Sequence, residues 1–142
     1  MTKQGASVTI NNASVVNKGT EAGTCGIRME GESDSVTLNG VDITAKYYGV
    51  GVRNSKQNLT VKDSKLTGWA AIMTSNGGSQ EPIDRDVTIT VTNSELYGLH
   101  ASNASPAEGY ATVVLQENFE NVTFKAENTL IYAGVGPICL KR

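Results

Sequence analysis

The chain has little of what marks most enzyme, membrane and nucleic-acid-binding classes. Its single histidine, His100, cannot build a histidine metal cluster, and no Ser or Cys stands at a diagnostic spacing from it, so it reads as structural or solvent-facing. No apolar run approaches the length of a membrane span. The 12 basic and 14 acidic side chains are interspersed, which leaves a net charge of −2 and no basic stripe to neutralise phosphates. Nucleic acid is therefore not an expected partner. The first residues, Met1-Thr2-Lys3-Gln4-Gly5, lack the charged start and apolar segment of a signal peptide. No segment carries the 3.6-residue apolar stripe of an amphipathic helix. The hydrophobic share, 39%, is slightly low for a globular core, while 15 glycines among dense Asn, Thr and Ser imply many turns.

What is there is a repeat. Val8-Thr9-Ile10-Asn11-Asn12 returns as Val36-Thr37-Leu38-Asn39-Gly40, Leu59-Thr60-Val61-Lys62-Asp63 and Ile89-Thr90-Val91-Thr92-Asn93, with a looser fifth copy from Val122-Thr123-Phe124-Lys125-Ala126. In each copy a two-residue alternation points the apolar residues inward and Thr outward. A corner residue that tolerates left-handed backbone angles follows, and then a second strand burying Val15, Ile43, Leu66 and Leu96. A third strand is expected to open on an aromatic followed by a small residue: Tyr48-Gly49, Trp69-Ala70, Tyr97-Gly98 and Tyr132-Ala133, with Cys25-Gly26 in the first copy. Two polar excursions interrupt the pattern, Thr74 to Asp86 and Ser102 to Gly109, the second followed by an extra strand-like run, Tyr110 to Gln116. Pro137 removes a ladder donor and is expected to end the third sheet.

Five copies of strand, bend and strand predict an all-β solenoid of about five rungs with three short strands per rung. Residues 1–142 read as one β-helix domain. The repeat begins by Val8 and runs nearly to the end, leaving no room for capping elements, so the expectation is of a piece of a longer exported protein, with a cytoplasmic protein as the alternative. Cys25 and Cys139 fall in the first and last rungs. At about 4.8 Å per rung they stand on the order of 19 Å apart. A disulfide needs Cα atoms within about 7 Å, so an internal bridge is not expected.

With these columns in view, the chain resembles the right-handed parallel β-helix of the pectin-lyase-like superfamily over roughly Val8 to Gly136. Its irregular Asn/Thr/Gly-rich rungs are most similar to the repeat segments of large bacterial cell-surface proteins and adhesins. The resemblance implies a secreted or surface-bound module that presents structure or recognises carbohydrate weakly. The alternative it implies is a truncated or divergent polysaccharide lyase or glycoside hydrolase of the same fold.

The catalytic patterns of that superfamily are not carried. There is no adjacent Asp-Asp pair and no Gly-His-Gly; His100 lies in Leu99-His100-Ala101. Asp84-Arg85-Asp86 is the nearest approach to a calcium-binding and basic set, Asp84 and Asp86 being able to share one cation, but as a loop end it reads first as solvated surface. No catalytic residue and no cofactor is therefore assigned. Glu30, Glu32 and Asp34 read as a hydrated corner. The Thr9/Thr37/Thr60/Thr90/Thr123 column reads as β-propensity, since lysines break the second column that an ice-binding face needs. Four Asn-X-Ser/Thr triplets, at Asn12, Asn58, Asn103 and Asn121, need no more than chance. The expected binding site is the cleft beside the two excursions, where Trp69 and Tyr97 would form a sugar platform beneath Asn76, Gln80, Asp84, Arg85 and Asn103. Uncapped strand edges at both ends predict end-to-end self-association.

Overall fold

The computed structural model describes residues 5–21, 23–74, 86–99, 111–116, 121–133 and 136–141. The first rung comprises β1 (Ser7–Asn11), β2 (Ser14–Asn17) and β3 (Cys25–Met29), and the second β4 (Ser35–Asn39), β5 (Asp42–Ala45) and β6 (Tyr48–Val52). The third holds β7 (Asn58–Lys62), β8 (Lys65–Gly68) and β9 (Ala70–Thr74); the fourth, β10 (Val87–Thr92), β11 (Glu95–Gly98) and β12 (Val113–Gln116). The fifth is β13 (Val122–Glu127), β14 (Leu130–Ala133) and β15 (Ile138–Lys141). First, second and third strands stack into three five-stranded sheets, and every pairing is parallel. The chain is a right-handed parallel β-helix of five rungs.

The core is a set of stacked inward columns. Val36, Leu59 and Ile89 occupy one, Leu38, Val61 and Val91 the next, and Ile43, Leu66 and Leu96 a third from the second sheet; all are buried. On the third sheet Ile72 and Val113 join this core, while the alternate residues Met73 and Val114 form a separate apolar cluster with Ala70 and Ala111. The corner between first and second strands is built from left-handed residues: Asn12, Gly40, Asp63, Asn93 and Asn128 all have positive φ. The residue after the corner adds a hydroxyl in three rungs, buried at Ser64 and Ser94 and half-buried at Thr129. Ser64 Oγ accepts from Val41 N at 2.9 Å, Ser94 Oγ accepts from Ser64 N at 3.1 Å, and Thr129 Oγ1 donates to Glu127 O at 2.8 Å. The Ser64 and Ser94 bonds tie the corners of the second, third and fourth rungs together, and Thr129 Oγ1 also lies 3.4 Å from Val91 O of the fourth.

Four sequence expectations meet the strand register here. The Thr ladder holds through Thr9, Thr37, Thr60 and Thr90, but the fifth strand slides by two residues: Lys125 stands opposite Thr90, and Thr123 opposite Thr88. A slide of two keeps every side chain on its own face. It also sets Phe124 on Ile89 and brings the corner Asn128 under Asn93, whose Oδ1 accepts from Asn128 Nδ2 at 2.9 Å. Tyr97 and Tyr132 do not open third strands. They lie on β11 and β14 of the second sheet, because Leu96 and Ile131 immediately before them take that sheet's inward column. Within the run 110–116, β12 (Val113–Gln116) is accordingly no extra strand but the fourth rung's own third strand. The third sheet does end in the rung of Pro137, as expected. The Pro137 carbonyl accepts from Val113 N at 3.1 Å, and β15 follows as the edge strand.

The acidic corner is more than hydrated surface. Glu30 pairs with Arg28 and lies 3.6 Å from Arg53, and Glu32 lies 3.4 Å from Lys56. Asp34 accepts from Gly31 N at 2.6 Å and from Ala6 N at 3.0 Å. Exposed pairs of this kind contribute at most about 1 kcal/mol each, so their role is to fix the corner's shape.

Candidate functional site

The expected platform divides. Trp69 sits in the bend between β8 and β9, half-buried, and packs edge-to-face on Tyr47 with ring centroids 4.8 Å apart. Tyr97 is half-buried on the outer face of the second sheet, directly opposite Tyr132 in the next rung, with ring centroids 5.6 Å apart. Trp69 and Tyr97 therefore belong to different columns. Asn76, Gln80, Asp84, Arg85 and Asn103 lie outside the described residues, as does His100. Asp86 is exposed just before β10. The two excursions attach at different corners: 75–85 joins β9 to β10, whereas 100–110 joins β11 to β12. One leaves the end of a third strand and the other enters the start of the next, so their attachment points lie at opposite ends of the third sheet's strands. Among the described residues no group of three or more His, Cys, Asp or Glu side chains could hold a metal ion.

A different constellation assembles on the second sheet. Its outer face carries two adjacent columns. One runs Ser14, Asp42, Lys65, Glu95, Leu130; the other runs Val16, Thr44, Thr67, Tyr97, Tyr132. Lys65 Nζ lies 5.0 Å from the centroid of the Tyr97 ring, a cation–π contact, and the Tyr97 hydroxyl donates to Glu95 at 2.8 Å. That bond to Glu95 is the main reason the Tyr97 phenol is held above its ordinary pKa. The two contacts fix the ring's orientation from both sides. Tyr132 is 53% exposed, so the aromatic surface stays open at the fifth-rung end.

Beside these rings the first corner forms two shallow depressions that share Asn93 and Glu95. One reaches back to Asp42, Asp63 and Lys65, the other forward to Asn128, Thr129 and Leu130. The surface thus offers a ring pair, an ammonium, carboxylates and amide groups within three rungs. Sequence reasoning missed Lys65, Glu95 and Tyr132 as a group. The signal was present in Thr67-Gly68, Tyr97-Gly98 and Tyr132-Ala133, which align as one column ending in small residues.

A second concavity lies on the outside of the third sheet, among Cys25, Arg28, Tyr48, Gly51 and Arg53. Its floor is open because Gly51 has no side chain; a Cβ there would stand 2.7 Å from Cys25 Sγ. Burial pushes the Cys25 thiol above its ordinary pKa, with Arg28 and Arg53 opposing that shift. A protonated thiol is a poor nucleophile, and among the described residues the Cys25 thiol donates to the Gly23 carbonyl at 3.4 Å rather than to a base.

Comparison of the chain with protein-family models, with curated proteins and with solved structures finds no match.

Proposed function

We propose that the chain is a non-catalytic β-helix module of a bacterial surface or secreted protein, related in architecture to the pectin-lyase-like superfamily, that presents a rigid column and recognises carbohydrate weakly. The Tyr97–Tyr132 pair on the outer face of the second sheet carries this reading. Sugar rings are bound by flat apolar faces bordered by convergent polar groups. Here two rings, fixed at successive rungs and flanked by Lys65, Glu95 and Asn93, supply that mixture on a surface too shallow to enclose a reacting bond.

Retention on a panel of insoluble glycans, with reducing-end release measured on the same samples, tests the proposal. The expected result is retention without release. Tyr97→Ala should weaken retention roughly five- to tenfold, the equivalent of about 1–1.4 kcal/mol for a lost aromatic contact. Trp69→Ala should leave it unchanged, because the indole packs on Tyr47 at another corner. Equal retention by the Tyr97→Ala variant, or no retention by any glycan, would sink the reading. Sugar release would instead establish the lyase or hydrolase alternative.

A further inference from the structure

Of the seven exposed large hydrophobic residues among those described, six lie in the terminal rungs: Val8 and Val16 in the first, Leu130, Tyr132, Ile138 and Leu140 in the fifth. Only Leu99 lies elsewhere. Several of the six are core residues by register. Val8 heads the column that ends at Phe124, and Ile138 closes the one that begins at Ile27. Leu140 is 73% exposed although Leu115, its neighbour in the same column, is buried. Among the described residues the apolar core is therefore exposed at several positions of both terminal rungs, although Met29 of β3 is buried; β1, β2 and β3 are the edge strands at one end and β13, β14 and β15 at the other.

We propose that these two ends bind each other: the first rung of a second copy of this chain stacks on the fifth rung and continues the helix as a sixth. The occupant follows from column identity, because the two faces are cross-sections of one repeat. In the joined register Val8 meets Phe124, Val15 meets Ile131 and Ile27 meets Ile138, so each open core position receives an apolar partner. Outside, Val16 lands on Tyr132, which joins two residues otherwise left exposed in one column. Thr9 faces Lys125 and Asn11 faces Glu127, so no like charges oppose each other on the first sheet. Every rung interface within the chain uses the same parallel pairing. The contact is head-to-tail and heterologous, and it leaves a free end on each partner, so association is open-ended and rises with concentration.

Two variants test the geometry. Val8→Lys places a charge on the first-rung face, and Leu140→Lys places one on the fifth-rung face. Both positions are open to water in the isolated chain, so neither change buries a charge until the ends join, when an unpaired ammonium would be trapped in the core. Sedimentation velocity of the unmodified chain over a wide concentration range should show growing assemblies. Each variant alone should remain monomeric, and an equimolar mixture should stop at one-to-one pairs through the single intact head and tail. A unmodified chain that sediments as one monomeric species at every concentration would overturn the proposal. So would self-association of either variant alone, which would mean that a different surface, or two like ends, makes the contact.

Discussion

Replacing Gln57 probes how the third corner is held. Gln57 is fully buried immediately before β7. Its Oε1 accepts from Arg53 N at 2.9 Å and Asn54 N at 3.0 Å, and its Nε2 donates to Gly31 O at 2.7 Å in the preceding rung. One side chain thus closes the turn of the second rung and staples it to the first. In Gln57→Ala all three bonds go; Arg53 N keeps its bond to Met29 O at 3.2 Å and Gly31 O keeps the one from Asp34 N at 3.4 Å, while Asn54 N loses the acceptor that Gln57 supplied. A net loss of about 1 kcal/mol per bond gives about 3 kcal/mol, rising towards about 5 where the freed groups stay shielded from water and the vacated volume stays empty. Against a typical domain stability of about 5–15 kcal/mol that is a large fraction. Urea unfolding followed by circular dichroism reads it as a fall in midpoint at unchanged slope. Gln57→Glu refines the test, since its protonated carboxyl can still donate to Gly31 O while its carboxylate cannot. Its deficit relative to the unmodified chain should be small below the unfolded carboxyl pKa of about 4.3 and grow as pH rises above it. A loss below about 1 kcal/mol in Gln57→Ala would refute the staple.

Gly68→Ala should cost about 1–3 kcal/mol by overpacking, because the new Cβ would stand 2.7 Å from Ala70 O, 2.8 Å from Tyr47 O and 2.9 Å from Gly49 N, all backbone atoms that cannot rotate away; an unchanged melting temperature would contradict this packing. The raised Cys25 pKa implies that the folded chain keeps its thiol proton to higher pH than the unfolded chain. Its contribution is therefore fully present below the unfolded thiol pKa of about 8.5 and is lost as pH rises beyond it. Cys25→Ala should show a shallower decline of stability over that alkaline range, measured by unfolding at successive pH values, and an identical decline would count against burial of the thiol.

The fold was legible because a parallel solenoid repeats its physical requirements locally. Apolar-Thr-apolar triplets, followed by Asn, Gly or Asp at a left-handed corner, specify strand, face and bend within six residues. The fifth rung misled for the same reason. Val122-Thr123-Phe124 matches the triplet, yet the register is set two residues later, where Asn128-Thr129 repeats the Asn93-Ser94 corner and its hydroxyl bond. Corners outrank triplets because a slide of two costs no change of face, whereas a misplaced corner needs a left-handed angle at a residue that resists it. The site was less legible. Tyr48, Trp69, Tyr97 and Tyr132 look alike in sequence, being aromatics beside small residues, but Tyr48 begins a third strand, Trp69 occupies a bend and the other two end second strands. The spacing between second and third strands varies from rung to rung, and no local residue type reveals that variation.

The same stacking that builds the core determines where recognition can reside. Inward columns must stay apolar in every rung, while an outward column can change its chemistry from rung to rung without moving the backbone. The second sheet uses that freedom: its column runs Val16, Thr44, Thr67 and then Tyr97 and Tyr132, so the aromatic surface is confined to the last two rungs. Those rungs also form the open apolar end. Tyr132 therefore belongs both to the proposed sugar platform and to the proposed joint, where Val16 of a second copy would cover part of its ring. If glycan and second copy compete for that ring, each must weaken the other by the same factor, since linkage between two binding equilibria is reciprocal. A soluble oligosaccharide that binds the platform would then shorten the assemblies, and assembly would leave the ring pair fully available only at the free fifth-rung end.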